Sequence, residues 1–183
     1  MRRGGIAAVA LLGAGVVLAG GWAIRGDESP DAGQSLGPVG PAETGWVVSR
    51  VVDGDTLVVT RAGQRQRVRL IGIDTPESVR PETPVECFGP EAAAFATEVL
   101  QGREVTLESD PSQGDLDAYD RRLAYVWYSA RPGQQTLFNA QAIEAGMARE
   151  YTYADPYQWR DEFMAAEDAA QSSLLGLWGA CSP

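Results

Sequence analysis

The chain has 183 residues, enough for one ordinary domain with an appendage and for a hydrophobic core of its own. It carries 25 acidic residues against 15 basic ones, and every basic residue is Arg. The absence of His and Lys excludes a histidine general base and a lysine nucleophile, and a net charge of −10 is the reverse of what dedicated polyanion binders show.

Arg2 and Arg3 precede an uncharged run over residues 4–24, and 21 residues as a helix cover about 30 Å, roughly a bilayer hydrocarbon core. Positive charge ahead of such a run predicts export, so the expected location is extracytoplasmic, either secreted or held to the membrane by this segment. Small residues at Ala19, Gly21 and Ala23 offer signal-peptidase sites, while the length suits an uncleaved anchor. Both readings of residues 1–24 fit. Residues 25–44 shift to Gly, Pro, Ser, Asp and Glu, too poor in large apolar side chains to offset chain entropy, and read as a flexible linker. The folded domain is expected over residues 45–183, as a monomer.

Within it, residues 46–52, 56–60 and 65–73 are rich in β-branched residues and predict three strands, with Arg61-Ala62-Gly63-Gln64 as a hairpin turn. Arg65, Arg67 and Arg69 alternate with Gln66, Val68 and Leu70, the period of a half-buried strand. Short strands follow over 105–108 and 123–128, and helical patterns over 91–100, 136–145 and 156–175, with Gly102, Gly146 and Gly176 at or just beyond their ends. Five strands with about three flanking helices predict an α+β domain built on a five-stranded barrel of the oligonucleotide/oligosaccharide-binding (OB) type. Cys87 and Cys181 are the only cysteines, and in an oxidising compartment such a pair closes a disulfide worth roughly 4 to 5 kcal/mol in the chain-entropy model. Two free buried thiols are the alternative.

Chemistry concentrates in two segments. Asp53-Gly54-Asp55-Thr56 joins the first two strands, and Arg69-Leu70-Ile71-Gly72-Ile73-Asp74-Thr75-Pro76-Glu77 ends the third. Carboxylates beside a guanidinium suit metal-assisted chemistry on a phosphodiester. The spacing excludes an EF-hand, since Leu57 and Val58 stand where further oxygen ligands are needed. Taken alone, polar residues at a strand exit usually just end the strand.

These segments, with Phe88-Gly89-Pro90-Glu91-Ala92 and Asp117-Ala118-Tyr119-Asp120-Arg121-Arg122-Leu123-Ala124-Tyr125-Val126, resemble the successive motifs of the staphylococcal nuclease (thermonuclease) family in order and spacing. The resemblance implies Ca2+ held by Asp55, Asp74 and the Thr75 carbonyl, with Glu77 as general base. It makes Arg69 and Arg121 the clamps on the scissile phosphate, and Tyr119, Tyr151 and Tyr153 the aromatic residues beside the bound nucleotide. It implies hydrolysis of DNA and RNA at the bond to the 5′ oxygen, leaving 3′-phosphate ends. Elementary chemistry agrees: two planar guanidinium forks and a divalent cation stabilise charge on an anionic phosphodiester, and without His the base is a carboxylate or a metal-bound water.

Three departures from the family pattern stand out. Asp120 replaces the usual Gly before the second Arg, and its charge is expected to compete for Arg121, with Arg122 neutralising it. The loop over 78–86 carries Glu82 and Glu86 with Arg80 as its one cation. From residue 45 onward there are 12 Arg against 21 Asp and Glu, a net of −9, which predicts weak, salt-sensitive capture and a preference for single strands or short fragments. Two competing readings are a non-catalytic OB module binding nucleic acid or envelope oligosaccharide, and a structural calcium-binding domain; the latter leaves both arginines unexplained.

Overall fold

The computed structural model describes residues 37–78 and 84–181. The predicted signal or anchor, most of the predicted linker, and Arg80 and Glu82 of the acidic loop lie outside them. Among the described residues no helix is long and apolar enough to cross a membrane.

Strands β1 (Ala42–Asp53), β2 (Thr56–Arg61) and β3 (Gln64–Leu70) form an antiparallel meander, followed after helix α1 (Gly89–Leu100) by β5 (Glu104–Glu108) and β6 (Arg122–Arg131). The short β4 (Ile73–Asp74) lies between β3 and α1. The sheet order is β3, β2, β1, β5, β6, and β3 also pairs in parallel with β6 through Val68 to Leu70 against Arg122 to Ala124. Hydrogen-bonded ladders therefore run round a ring of five strands, the predicted OB arrangement, and α+β is the class observed. β7 (Gln134–Leu137) extends β6 as a hairpin, and β8 (Arg149–Glu150) pairs with β4. Helices α2 (Phe138–Glu144), α3 (Arg160–Ser172) and the single-turn α4 (Leu177–Ala180) complete the chain.

The predicted strand over 65–73 divides after Leu70 because Gly72 adopts φ 77°, and a Cβ there would lie 2.6 Å from the Tyr157 ring. Only glycine accommodates that conformation and that close approach. The predicted helix over 136–145 begins later, since Thr136 and Leu137 pair with Tyr128 and Trp127 before the helix starts at Phe138. Inside the ring Val48, Leu57, Val59, Val68, Leu70 and Leu107 are shut off from water, and Tyr125, Phe138 and Phe163 join the same core. Phe163, Ala166 and Ala170 repeat at helical spacing, giving α3 its inward stripe.

Two fully satisfied carboxylates lie behind this core. Glu108 accepts the N–H groups of Val39 and Gly40, and Trp127 Nε1 at 2.6 Å. Asp110 accepts the Tyr125 hydroxyl at 2.8 Å, the Gln158 N–H at 2.8 Å, and both Ser112 donors. The Glu108 contacts and the start of β1 at Ala42 make residues 39–44, read from composition as linker, part of the fold. Cys87, just before α1, is disulfide-bonded to Cys181, just after α4, with Cα atoms 5.9 Å apart.

Candidate active site

The turn between β1 and β2 is a two-residue hairpin in which Asp53 pairs with Thr56. Gly54 is required less for the turn than for what lies on it: a Cβ there would meet the Thr75 side chain at 2.7 Å. This close approach brings the exit of β4 onto the hairpin. Asp55, buried, then accepts the Thr75 N–H at 3.1 Å, the Thr75 hydroxyl at 3.2 Å and the Thr56 hydroxyl at 2.9 Å.

Arg69 reaches the same place from β3, which pairs with β2 so that Arg69 stands opposite Thr56. Its Nη1 is ion-paired to Asp55 Oδ2 and its Nη2 donates to Asp74 Oδ1 at 2.9 Å. Burial alone would weaken the guanidinium's hold on its proton, but Asp55 and then Asp74 outweigh it and hold the pKa above the usual arginine value. Asp74 is raised from the ordinary carboxylate range, first by desolvation, which the Arg69 charge only partly offsets, and then by Asp55 and Glu86. One guanidinium thus serves two carboxylates.

Arg121 enters from the loop before β6, and its placement corrects one expectation. Asp120 does take the left-handed conformation, at φ 57°, but it is Asp117 that holds Arg121. Asp117 Oδ2 accepts Arg121 Nε at 2.6 Å, while Oδ1 accepts the N–H groups of Tyr119 and Arg121. Burial opposes the Asp117 charge, but these bonds prevail and hold its pKa below the usual range. Arg122 does not neutralise Asp120 either; it pairs with Glu43 at 2.6 Å. Arg121 Nη1 extends toward Thr56 Oγ1 at 3.4 Å.

Asp53, Asp55, Asp74, Glu77, Arg69 and Arg121 all face one polar cavity of about 210 Å³. Glu77 and Glu86 hold each other's backbone: Glu77 N–H donates to Glu86 Oε2 at 3.1 Å, and Glu86 N–H donates to the Glu77 carbonyl at 2.9 Å. Asp53 accepts Ser78 Oγ at 2.7 Å and the Gly54 N–H. Desolvation, then the Asp55 charge and a hydrogen bond with Glu77, push Asp53 up to about 6 against its hydrogen bonds. Among the described residues no three carboxylates form a ready-made metal cage.

A second cavity of about 490 Å³ adjoins the first and shares Arg69, Asp74 and Arg121 with it. Tyr119, Tyr151 and Tyr153 line it and are exposed at 75, 44 and 81%, so none is a core residue. The Tyr151 and Tyr153 rings are 6.4 Å apart, and the Arg121 guanidinium lies 5.4 Å from the Tyr119 ring centre. Sequence reasoning missed Asp117 as the anchor of Arg121 and Glu86 as the partner of Glu77. Asp117 had a legible signal, because Asp commonly opens a turn by accepting N–H groups two and four residues ahead.

With this geometry in view, residues 67–180 match the family described as Staphylococcal nuclease homologue. The chain belongs to the staphylococcal nuclease family. A thermonuclease of Staphylococcus hyicus is 37% identical over 145 residues, covering 79% of this chain and 82% of that protein. A thermonuclease of Staphylococcus intermedius is 39% identical over 133 residues, covering 73% of this chain and 75% of that one. The endonuclease YncB of Bacillus subtilis is 34% identical over 133 residues, covering 72% and 60%. Sequence, fold and site together make the chain a nuclease of this family.

Proposed function

We propose that this protein is an exported, calcium-dependent endonuclease that hydrolyses phosphodiester bonds of DNA and RNA and leaves 3′-phosphate ends. The observation that carries the reading is the convergence of Arg69 and Arg121 on one small cavity with Asp55, Asp74 and Glu77. Guanidinium groups fixed across a cavity stabilise negative charge where it builds on a phosphate under attack.

Asp55, Asp74 and the Thr75 carbonyl are the residues that would hold the cation. Their chemistry fits it: two carboxylates already converge on one positive group, and hard oxygen donors without His or Cys suit calcium better than a softer metal. Bound there, calcium would supply positive charge beside the phosphate. Glu77 takes the proton of the attacking water. Arg69 exchanges part of its bonding to Asp55 and Asp74 for the phosphate, which is favourable only where another positive charge balances those carboxylates. Arg121, aimed by Asp117, binds from the opposite side, and the tyrosines offer faces on which bases stack.

Arg2 and Arg3 ahead of residues 4–24, together with the disulfide, support export, with the protein either released or held to the membrane by the N-terminal segment. The test is incubation with heat-denatured DNA and with RNA, in calcium or in chelator. Calcium-dependent fragments with 3′-phosphate ends, lost in Glu77→Gln and Arg69→Ala, are the expected result. Binding without cleavage would instead establish the non-catalytic OB module.

A further inference from the structure

The sequence predicts weak substrate capture from a net negative charge, but the charge is not evenly spread. On β3 the side chains of Arg65, Arg67 and Arg69 share one face, while Val68 and Leu70 turn into the core. Residues opposite one another in an antiparallel pair also share a face. The register therefore gives three successive rows on this face. Asp53, Thr56 and Arg69 form the first, Arg50, Val58 and Arg67 the second, and Val47, Thr60 and Arg65 the third. The first row is the catalytic cavity itself.

Arg50, Arg65 and Arg67 are exposed, and among the described residues none of them has an ion pair. Elsewhere around the site arginines are committed: Arg61 and Arg122 to Glu43, Arg121 to Asp117, Arg69 to Asp55 and Asp74. Beyond the third row, Val47 pairs with Glu104, whose carboxylate bounds the basic face on that side. Among its described residues, a protein with an excess of acids thus leaves three arginines without an acidic partner on the sheet face that continues from its phosphate clamp.

We propose that Arg50, Arg65 and Arg67 form a track for the sugar-phosphate backbone of a single-stranded polynucleotide whose neighbouring phosphate is held by Arg69. Alternate residues on a strand are about 6.8 Å apart, similar to the phosphate spacing of an extended polynucleotide chain, so Arg65, Arg67 and Arg69 meet consecutive phosphates. Arg50, two strands across from Arg67 at about 10 Å, flanks the same path from the other side. On the opposite side of Arg69 lies the tyrosine-lined cavity. A strand therefore runs from stacked bases, past the clamp, onto the arginine rows. The track deepens the nuclease reading and rests on it, and it confers preference for long single strands over fragments too short to reach Arg65.

The test compares two doubles of identical net charge in the full chain, Arg65→Gln/Arg67→Gln and, away from the track, Arg103→Gln/Arg131→Gln. Cleavage of a 30-nucleotide single strand and of a trinucleotide is followed over a range of salt, and binding of the 30-mer is measured in a Glu77→Gln background. The track double is expected to raise KM for the 30-mer about tenfold with kcat kept within twofold. It should also lower the slope of log KM against log salt by about 1.4, at roughly 0.7 for each phosphate that is no longer neutralised. The control double should leave that slope in place.

Equal effects of the two doubles, in a protein that cuts, overturn the track by showing that only total charge matters. Loss of affinity for a sulfated polysaccharide, with nucleic-acid kinetics unmoved, overturns it as well. A protein that cuts nothing, yet binds the 30-mer through Arg65 and Arg67, fails the nuclease reading and keeps the track.

Discussion

Glu108 and Asp110 behind the core, and Asp53 and Asp55 at the cavity, are almost equally hidden, at 0, 4, 8 and 7% exposure. Their surroundings differ in kind. Glu108 and Asp110 are ringed by neutral donors: backbone N–H groups, hydroxyls and an indole. Asp53 and Asp55 also accept neutral donors, but other carboxylates crowd them: Asp53 lies against Asp55 and Glu77, and Asp55 shares Arg69 with Asp74. Burial alone therefore does not separate acids that hold a fold from acids that do chemistry. What separates them is whether neutral dipoles alone surround the carboxylate or further carboxylates crowd it and call for a cation.

The strongest test of this contrast is at the cavity. Glu77→Gln should lower kcat by about 10³-fold, within the range for loss of a general base, while the thermal midpoint stays within a few degrees. A fall in stability of the size expected for a core acid would break the distinction.

On the other side, Glu108→Ala strands Val39 N–H, Gly40 N–H and Trp127 Nε1 without an acceptor. It should cost roughly 3 kcal/mol in urea unfolding, leaving activity per folded molecule unchanged. A loss below about 0.5 kcal/mol would show that Glu108 is not the anchor described.

Asp117 sits between the classes, since it is held by backbone donors yet aims a phosphate clamp. Asp117→Asn keeps much of the turn but weakens the hold on Arg121, so kcat should fall roughly tenfold with stability down by about 1 kcal/mol. An unchanged kcat would leave Asp117 a turn residue only.

The smallest effect is the slope of stability against pH, and its sign differs between the two regions. Burial would raise Asp110, but hydrogen bonds from Gln158, Ser112 and Tyr125 outweigh it and hold the carboxyl below its usual range. Its contribution is present above about pH 4 and is lost as pH falls through the lower folded value. Asp53 is raised to about 6, chiefly by burial, so the folded state binds its proton more tightly. Its contribution is full below about pH 4 and is lost as pH rises through 6. In chelator, Asp110→Asn should flatten the acid limb of the stability profile and Asp53→Asn the limb between pH 4 and 6. Identical profiles for the two variants would erase the contrast.

Much of this was legible in the residues. The alternation through Arg65 to Leu70, the Asp-Gly-Asp-Thr hairpin and the cysteine pair are local patterns whose physics acts over a few residues or through one covalent bond. The misread boundaries have equally physical causes. Strand pairing with β6 overrides the helical pattern at Thr136 and Leu137, and Glu108 recruits Val39 and Gly40 from a stretch whose composition reads as linker.

By itself, the sequence determined which groups are available for chemistry. Without His or Lys, the cavity depends on carboxylates and arginines, and the order of the motifs placed Asp55, Arg69, Asp74, Glu77 and Arg121 in one family pattern. Only the tertiary structure decided who pairs with whom: Asp117 rather than Asp120 on Arg121, Glu43 rather than Asp120 on Arg122, and nothing acidic on Arg50, Arg65 or Arg67 among the described residues. Coulomb energy depends on distances across the fold, so a net charge read from composition says little about the potential at one face of one strand.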